Sequence, residues 1–124
     1  MITSLRSIII PAHDLSNLKE FYTHLLGKAP YFDEPYYVGF DLEGREVGLD
    51  PQLPSAGQSG PYPVFSISIP IEQAYDKAKT LGAYGHKEPH HVGGGLMMAL
   101  LQDPGGNMFG ILEEPSPQPM ENLQ

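Results

Sequence analysis

The chain carries 124 residues, 40% hydrophobic and 18% charged, with 7 Lys and Arg against 15 Asp and Glu and a formal net charge of -8. That length builds one core rather than two full-sized domains, and so few dispersed basic residues speak against binding nucleic acid or an anionic membrane. Cys 0 removes disulfides, thiolate nucleophiles and Cys-ligated metals, a usage that fits the cytoplasm.

Gly 14 and Pro 13 predict many turns, but the apolar residues fall in periodic blocks, as in a globular chain. The opening MITSLRSIII has too short an apolar run for a secretory signal, and no stretch approaches the ~18 apolar residues of a membrane span. Ile8, Ile9 and Ile10 predict a first strand over 5–12. His13-Asp14 breaks it, and Asp14 or Ser16 can cap a helix. Apolar residues at 15, 18, 21, 22, 25 and 26 have helical spacing, and Gly27 is placed as a C-cap. A strand over 36–42, a turn at Glu43-Gly44 and a return over 46–50 predict a hairpin. Residues 51–63, PQLPSAGQSGPYP, read as a surface connection.

In the second half Phe65, Ile67 and Ile69 alternate with Ser66 and Ser68, which predicts a strand over 64–69 with one apolar face. Pro70 suits the start of a helix running to about Leu81, and Gly82 ends it. A Gly-rich turn lies at Val92-Gly93-Gly94-Gly95, and the histidines before it read as loop. Strands follow over 96–101 and 108–112, joined by the turn Asp103-Pro104-Gly105-Gly106-Asn107. The tail 115–124 lacks any packing pattern and is expected to fray. Strand–helix–strands thus occurs twice, about 55 residues apart. The half-modules span about 4–50 and 64–113, in a single domain of 1–124. If the helices cover one face of each sheet, the two remaining faces can make a concave pocket.

The residues Ile10 to Leu15 (IPAHDL), Phe21-Tyr22 and Leu26-Gly27, with Ala74-Tyr75, Leu81-Gly82 and the run from Gln102 to Gly110, resemble the vicinal oxygen chelate superfamily. That superfamily groups glyoxalase I with bleomycin-resistance proteins, fosfomycin-resistance enzymes and extradiol dioxygenases. The resemblance covers about 4–113. It implies an α+β fold of two βαβββ modules, whose curled mixed sheets form an open cup, and members of this length usually pair into homodimers. It also implies three well-defined metal-ligand positions on the cup's inner face. Counting from Asp14 and Asp103 puts two of them at Ser7 and Gly110, and matching the first strand of the second half to the family puts the other at Val64. Valine and glycine side chains cannot ligate and a serine hydroxyl ligates poorly, so no metal or other cofactor is expected at the usual place.

If those three face inward, Ile9, Ser66, Met108 and Leu112 share their direction. Ile8, Ile10, Phe65, Ile67, Ile69, Phe109 and Ile111 take the other face, as core, and glycine at 110 leaves spare room in the cup. The expected ligand contacts are Ser7, Ile9, Tyr37, Asp50, Val64, Ser66, Met98, Met108 and Gly110. Met97 and Met98 read equally as a soft pocket wall or ordinary core. Tyr31, Phe32, Tyr36 and Tyr37 read as aromatics at a pocket mouth or as core and dimer contacts.

Glu46 and Asp50 are the catalytic candidates. Either, as a lone acid among apolar neighbours, would have a raised pKa and act as a general base; the plainer reading is an edge-strand charge. His86, His90 and His91 read as exposed loop residues, His13 and His24 as surface, and Asp103 as a turn residue. The expected function is metal-free binding of a small, partly apolar organic molecule, with resistance-type sequestration as one version that the resemblance suggests. The alternatives are a metal-dependent lyase or dioxygenase with ligands moved to Glu46, Asp50 or His90-His91, a metal-free isomerase using Asp50 or a tyrosine, and an interaction module with a vestigial cup.

Overall fold

The structure is a computed structural model and describes residues 1–54 and 60–115. The middle of the 51–63 connection and all but the first residue of the expected tail lie outside them. The isoleucine run forms β1 (Ser7–Pro11). In α1 (Leu15–Leu26) Asp14 is the cap, its carboxylate accepting the Asn17 N–H at 3.2 Å, and Gly27 closes the helix with φ 71°. β2 (Phe32–Glu34), β3 (Tyr37–Leu42) and β4 (Arg45–Asp50) follow. The β3–β4 turn has φ 51° at Glu43 and 85° at Gly44, the paired positive values that match the twist of a hairpin.

The second half repeats the plan with β5 (Val64–Ser66), α2 (Ile71–Thr80), β6 (Tyr84–Gly93), β7 (Leu96–Gln102) and β8 (Met108–Glu113). The sheet orders are β1-β4-β3-β2 and β5-β8-β7-β6. In each, the first strand runs parallel to the last and the remaining pairs are antiparallel. This is the α+β arrangement of two βαβββ modules, and the mixed sheets do not close into a barrel.

Three elements differ from the sequence reading. Residues 32–34 form a strand without any alternation of their own, because β3 offers them an edge (Phe32 opposite Gly39, Glu34 opposite Tyr37). The predicted loop carrying His86, His90 and His91 is β6, an irregular strand held by β7 with register shifts along it. The strand predicted to reach Ile69 stops at Ser66. Its partner β8 ends at Glu113, and after the Ile67 N–H bonds Leu112 O at 3.1 Å the chain leaves the sheet to start α2. Pro70 has no capping side chain, so the Glu113 carboxylate, 2.6 Å from the Ile71 N–H, substitutes for one.

Ile10, Val38, Phe40, Val47 and Leu49 on the first sheet, and Ala99, Leu101, Phe109 and Ile111 on the second, are buried beneath Leu18, Phe21, Tyr22, Ile71, Tyr75 and Ala78 of the helices. Of the predicted core face, Ile8, Phe65 and Ile67 are half-buried against this cluster. Asp103, fully buried, ties the halves together. Its carboxylate accepts the Tyr22 hydroxyl of α1 at 2.6 Å, the N–H groups of Gly105 and Asn107 at 2.8 and 3.0 Å, and the Asn107 amide. That amide also donates to Pro11 O at the end of β1, at 3.0 Å. Burial and the neighbouring Asp103 push the Tyr22 phenol well above its ordinary pKa, so it stays a donor.

Removing this donor alone, in Tyr22→Phe, is expected to destabilise the fold by about 1–3 kcal/mol. Asp103→Ala should be worse, because backbone donors lose their acceptor too. The double variant should fall short of the sum, since both changes break one network. Urea unfolding midpoints check this, and an unchanged midpoint in both single variants would refute the role given to Asp103.

Candidate functional site

Because side chains alternate along a strand, the strand register decides which residues share the faces away from the helices. On the first sheet Ser7 is opposite Glu46, Ile9 opposite Gly48 and Pro11 opposite Asp50. Across β4, Asp41 is opposite Glu46 and Gly39 opposite Gly48, and the face continues to Tyr37, Phe32 and Glu34. On the second sheet Val64 is opposite Gly110 and Ser66 opposite Leu112, which continue to Leu100 and Met98, and Gln102 is opposite Met108. Every expected ligand contact therefore falls on one of these two faces. The faces are open: Ile9 is 42% exposed and Val64 47%, although both are apolar.

The first strand of each module is a sheet edge, and the two edges meet along a seam. A cavity of ≈ 490 Å³ there is lined by Ser7 and Glu46 from one module and Val64 and Ser66 from the other, with Tyr62 and Pro63 between them. A second, of ≈ 260 Å³, takes in Ile9 and Met108. Tyr37, Asp50, Met98 and Gly110 line neither. The room expected above Gly110 is already filled: a Cβ there would stand 2.8 Å from the Met98 methyl and 3.3 Å from Val64. Met98 belongs to this face, and Met97, opposite Glu113 and packed on the core, to the other.

Glu46 is no edge-strand charge, since β4 lies between β1 and β3. Nor is it a lone acid among apolar neighbours. The Tyr31 hydroxyl donates to one carboxylate oxygen and the Tyr37 hydroxyl to the other, the latter at 2.5 Å. Those two hydrogen bonds, Tyr31 first, hold its pKa below the ordinary value against a smaller opposing effect of burial, with Arg6 helping. The expected upward shift is thus reversed. Desolvation, then the bond to Glu46, raises the Tyr37 phenol; for Tyr31 its own bond to Glu46 is the main cause.

Gly48 makes this arrangement possible, because a Cβ there would overlap the Tyr37 hydroxyl, and one at Gly39 would come within 3.1 Å of Glu46 and 3.3 Å of the Tyr31 ring. Phe32 adds a third ring, its centroid 6.1 Å from that of Tyr37 and 6.0 Å from that of Tyr36. The signal for this aromatic–carboxylate platform is the pair of glycines inside strand patterns, which marks a close approach. Asp50 accepts the Gln52 N–H at 2.9 Å and shapes the exit of β4.

The donor set does not suit a divalent ion. The pairs Ser7–Glu46 and Val64–Gly110 hold equivalent places in the two modules, each followed by a helix-facing pair, Ile8–Val47 and Phe65–Ile111. Those four positions offer one hydroxyl and one carboxylate, and both oxygens of the carboxylate are engaged by phenols. Among the described residues no group of three His, Asp or Glu stands together in a way that could hold a metal. His90 is opposite Met98 and His91 opposite Met97, so they point to different faces.

A family model described as the Glyoxalase/Bleomycin resistance protein/Dioxygenase superfamily matches residues 4–111. The chain belongs to that superfamily. Its fold is close to three solved structures. The glyoxalase-related enzyme from Fulvimarina pelagi has a TM-score of 0.77 at 15% identity, over 96% of this chain and 94% of that one. The glyoxalase/bleomycin resistance protein/dioxygenase family enzyme from Burkholderia phytofirmans PsJN has 0.73 at 21%, over 91% and 100%. The lactoylglutathione lyase from Agrobacterium tumefaciens has 0.69 at 20%, over 91% and 95%. At these identities the likeness is one of fold. Comparison with curated proteins returned no match. Among the described residues no helix is long and apolar enough to cross a membrane.

The Tyr31–Glu46–Tyr37 triad predicts a pH response of definite sign. A carboxyl whose folded pKa is lowered contributes stability above its unfolded pKa, and that contribution is lost as pH falls through the folded value. An NMR titration of the Glu46 carboxyl should therefore give a midpoint below the usual ~4.3. Gly48→Ala, which evicts the Tyr37 hydroxyl, should move that midpoint upward. A wild-type midpoint at or above the ordinary value would contradict the geometry.

Proposed function

We propose that this superfamily member binds a small, partly apolar organic molecule at the seam between its open sheet faces, without a divalent metal, as a cytoplasmic homodimer. The observation that carries the reading is the part of the seam that Ser7 and Val64 line. There a cavity of ≈ 490 Å³ has walls from both modules but lacks the three or four good donors that a metal needs. Its volume lies in the range of small-molecule pockets. Ser7 and Tyr62 bring hydroxyls to it, Glu46 and Arg45 charges, and Val64 and Phe65 apolar surface. Such a surface recognises shape, aromatic stacking and hydrogen bonding.

Binding is favoured over catalysis by the state of the acid–base candidates. A general base works best with a pKa near the working pH. Glu46 is held below its ordinary value with both oxygens occupied, and Tyr37 is pushed up as a phenol. Asp50 holds a turn.

Native mass spectrometry of the freshly purified protein tests all parts together. The expected spectrum is that of two chains without stoichiometric Zn, Fe, Mn or Ni, retaining or taking up a small organic molecule. Val64→Arg, at an exposed position on the cavity wall, should weaken uptake tenfold or more and leave the fold intact. Stoichiometric metal lost on mutating Glu46, or uptake indifferent to Val64→Arg, would defeat the proposal.

A further inference from the structure

Beyond Phe65 and Leu42 the seam cavity gives way to a second one. Where the last turn of α1 faces β5 and α2, a cleft of ≈ 350 Å³ opens between the modules. It exists because β5 ends early. Once the chain leaves the sheet after Ser66, Ile67 and Ile69 no longer lie under a neighbouring strand and stay only half-buried. Phe65 and Leu81 from the same module, and Leu26 and Leu42 from the other, complete an apolar lining, all of them half-buried. Apolar side chains from two modules are thus left facing a gap that neither module fills.

The charge at this cleft is opposite to that of the whole chain. Although 15 residues of the chain are acidic, none lines it, and the ionisable groups at its edge are those of Lys77 and His24. The ion pair found among the described residues is Lys19 with Asp33, so the Lys77 ammonium has no carboxylate partner there. The C-terminal end of α1, which also borders the cleft, carries about half an elementary negative charge, against a full positive charge on Lys77. A cleft with an aliphatic floor and one ammonium at the rim is complementary to an amphiphile with the reverse pattern.

We propose that this cleft is a second binding site, specific for an apolar monocarboxylate. The hydrocarbon part lies among Phe65, Ile67 and Leu26, and the carboxylate faces the Lys77 ammonium. The cleft adjoins the seam cavity, with Leu42, Phe65 and Ser66 lining both, but Lys77, Leu26 and Ile67 line the cleft and not the seam.

Decanoate below its micellar concentration is a suitable probe, with decanol as its uncharged counterpart. In ¹H–¹⁵N spectra of the full chain, decanoate should shift the amides of Gly27, 67–69 and 74–78 and leave those of Ser7, Glu46 and Gly110 in place. Lys77→Glu, at an exposed helix position, should weaken decanoate at least tenfold and change decanol less than twofold. Shifts at the seam instead of the cleft, no shifts at millimolar decanoate, or equal binding by wild type and Lys77→Glu would each overturn the assignment. A loss that decanol shares equally would overturn it as well.

Discussion

A buried carboxylate is among the costliest groups to place in a protein interior unless hydrogen bonds surround it. At Asp103 that requirement becomes the joint of the molecule. The carboxylate is surrounded by a phenol from α1, two N–H groups of its own turn and the amide of Asn107, and Asn107 carries the network on to the end of β1. The partners come from both halves of the chain, so neither half satisfies the charge alone. The network sets the distance between the end of β1 and the start of β8. The seam cavities lie beside those strands, so their walls depend on it. Phe21 against Phe109, with ring centroids 6.2 Å apart, packs beside it and excludes water from the joint.

What could be read in advance depended on how local its cause was. α1 was legible because its spacing, Asp14 cap and Gly27 stop lie within about a dozen residues of each other. The β3–β4 hairpin was legible from Glu43-Gly44 and the alternation around it. β6 was not, because its reason lies elsewhere. Residues 84–93 carry Gly85, Pro89 and three histidines, a poor strand composition, and are drawn into the sheet by the strongly apolar β7 beside them. β5 was read too long for a similar reason, since the alternation of 64–69 is real but its partner strand runs out.

The same division holds at the site. Which residues share the open faces follows from a period of two, which the sequence carried, and from a register, which comes from the pairing of distant strands. What covers those residues does not follow from periodicity. Met98 over Gly110 and Tyr37 over Gly48 are contacts made by long side chains reaching across a ladder to a position without a Cβ. The glycines were visible, but their consequence was not, because it depends on which neighbour lies down over them. The reversed pKa direction at Glu46 has the same origin. Burial among apolar groups would raise it, whereas phenols 15 and 9 residues away donate to it.

The two modules have therefore diverged at equivalent places in a way that gives the open faces opposite characters. Where the first module has Ser7 and Glu46, the second has Val64 and Gly110. In the first, a carboxylate organises tyrosine rings over a glycine floor, and three partners must move together to clear it. In the second, one thioether covers the glycine, and a methionine tip changes rotamer at little cost. The first open face is thus preorganised and the second adapts. Two identical modules could not differ in this way, since both faces would be rigid or both soft.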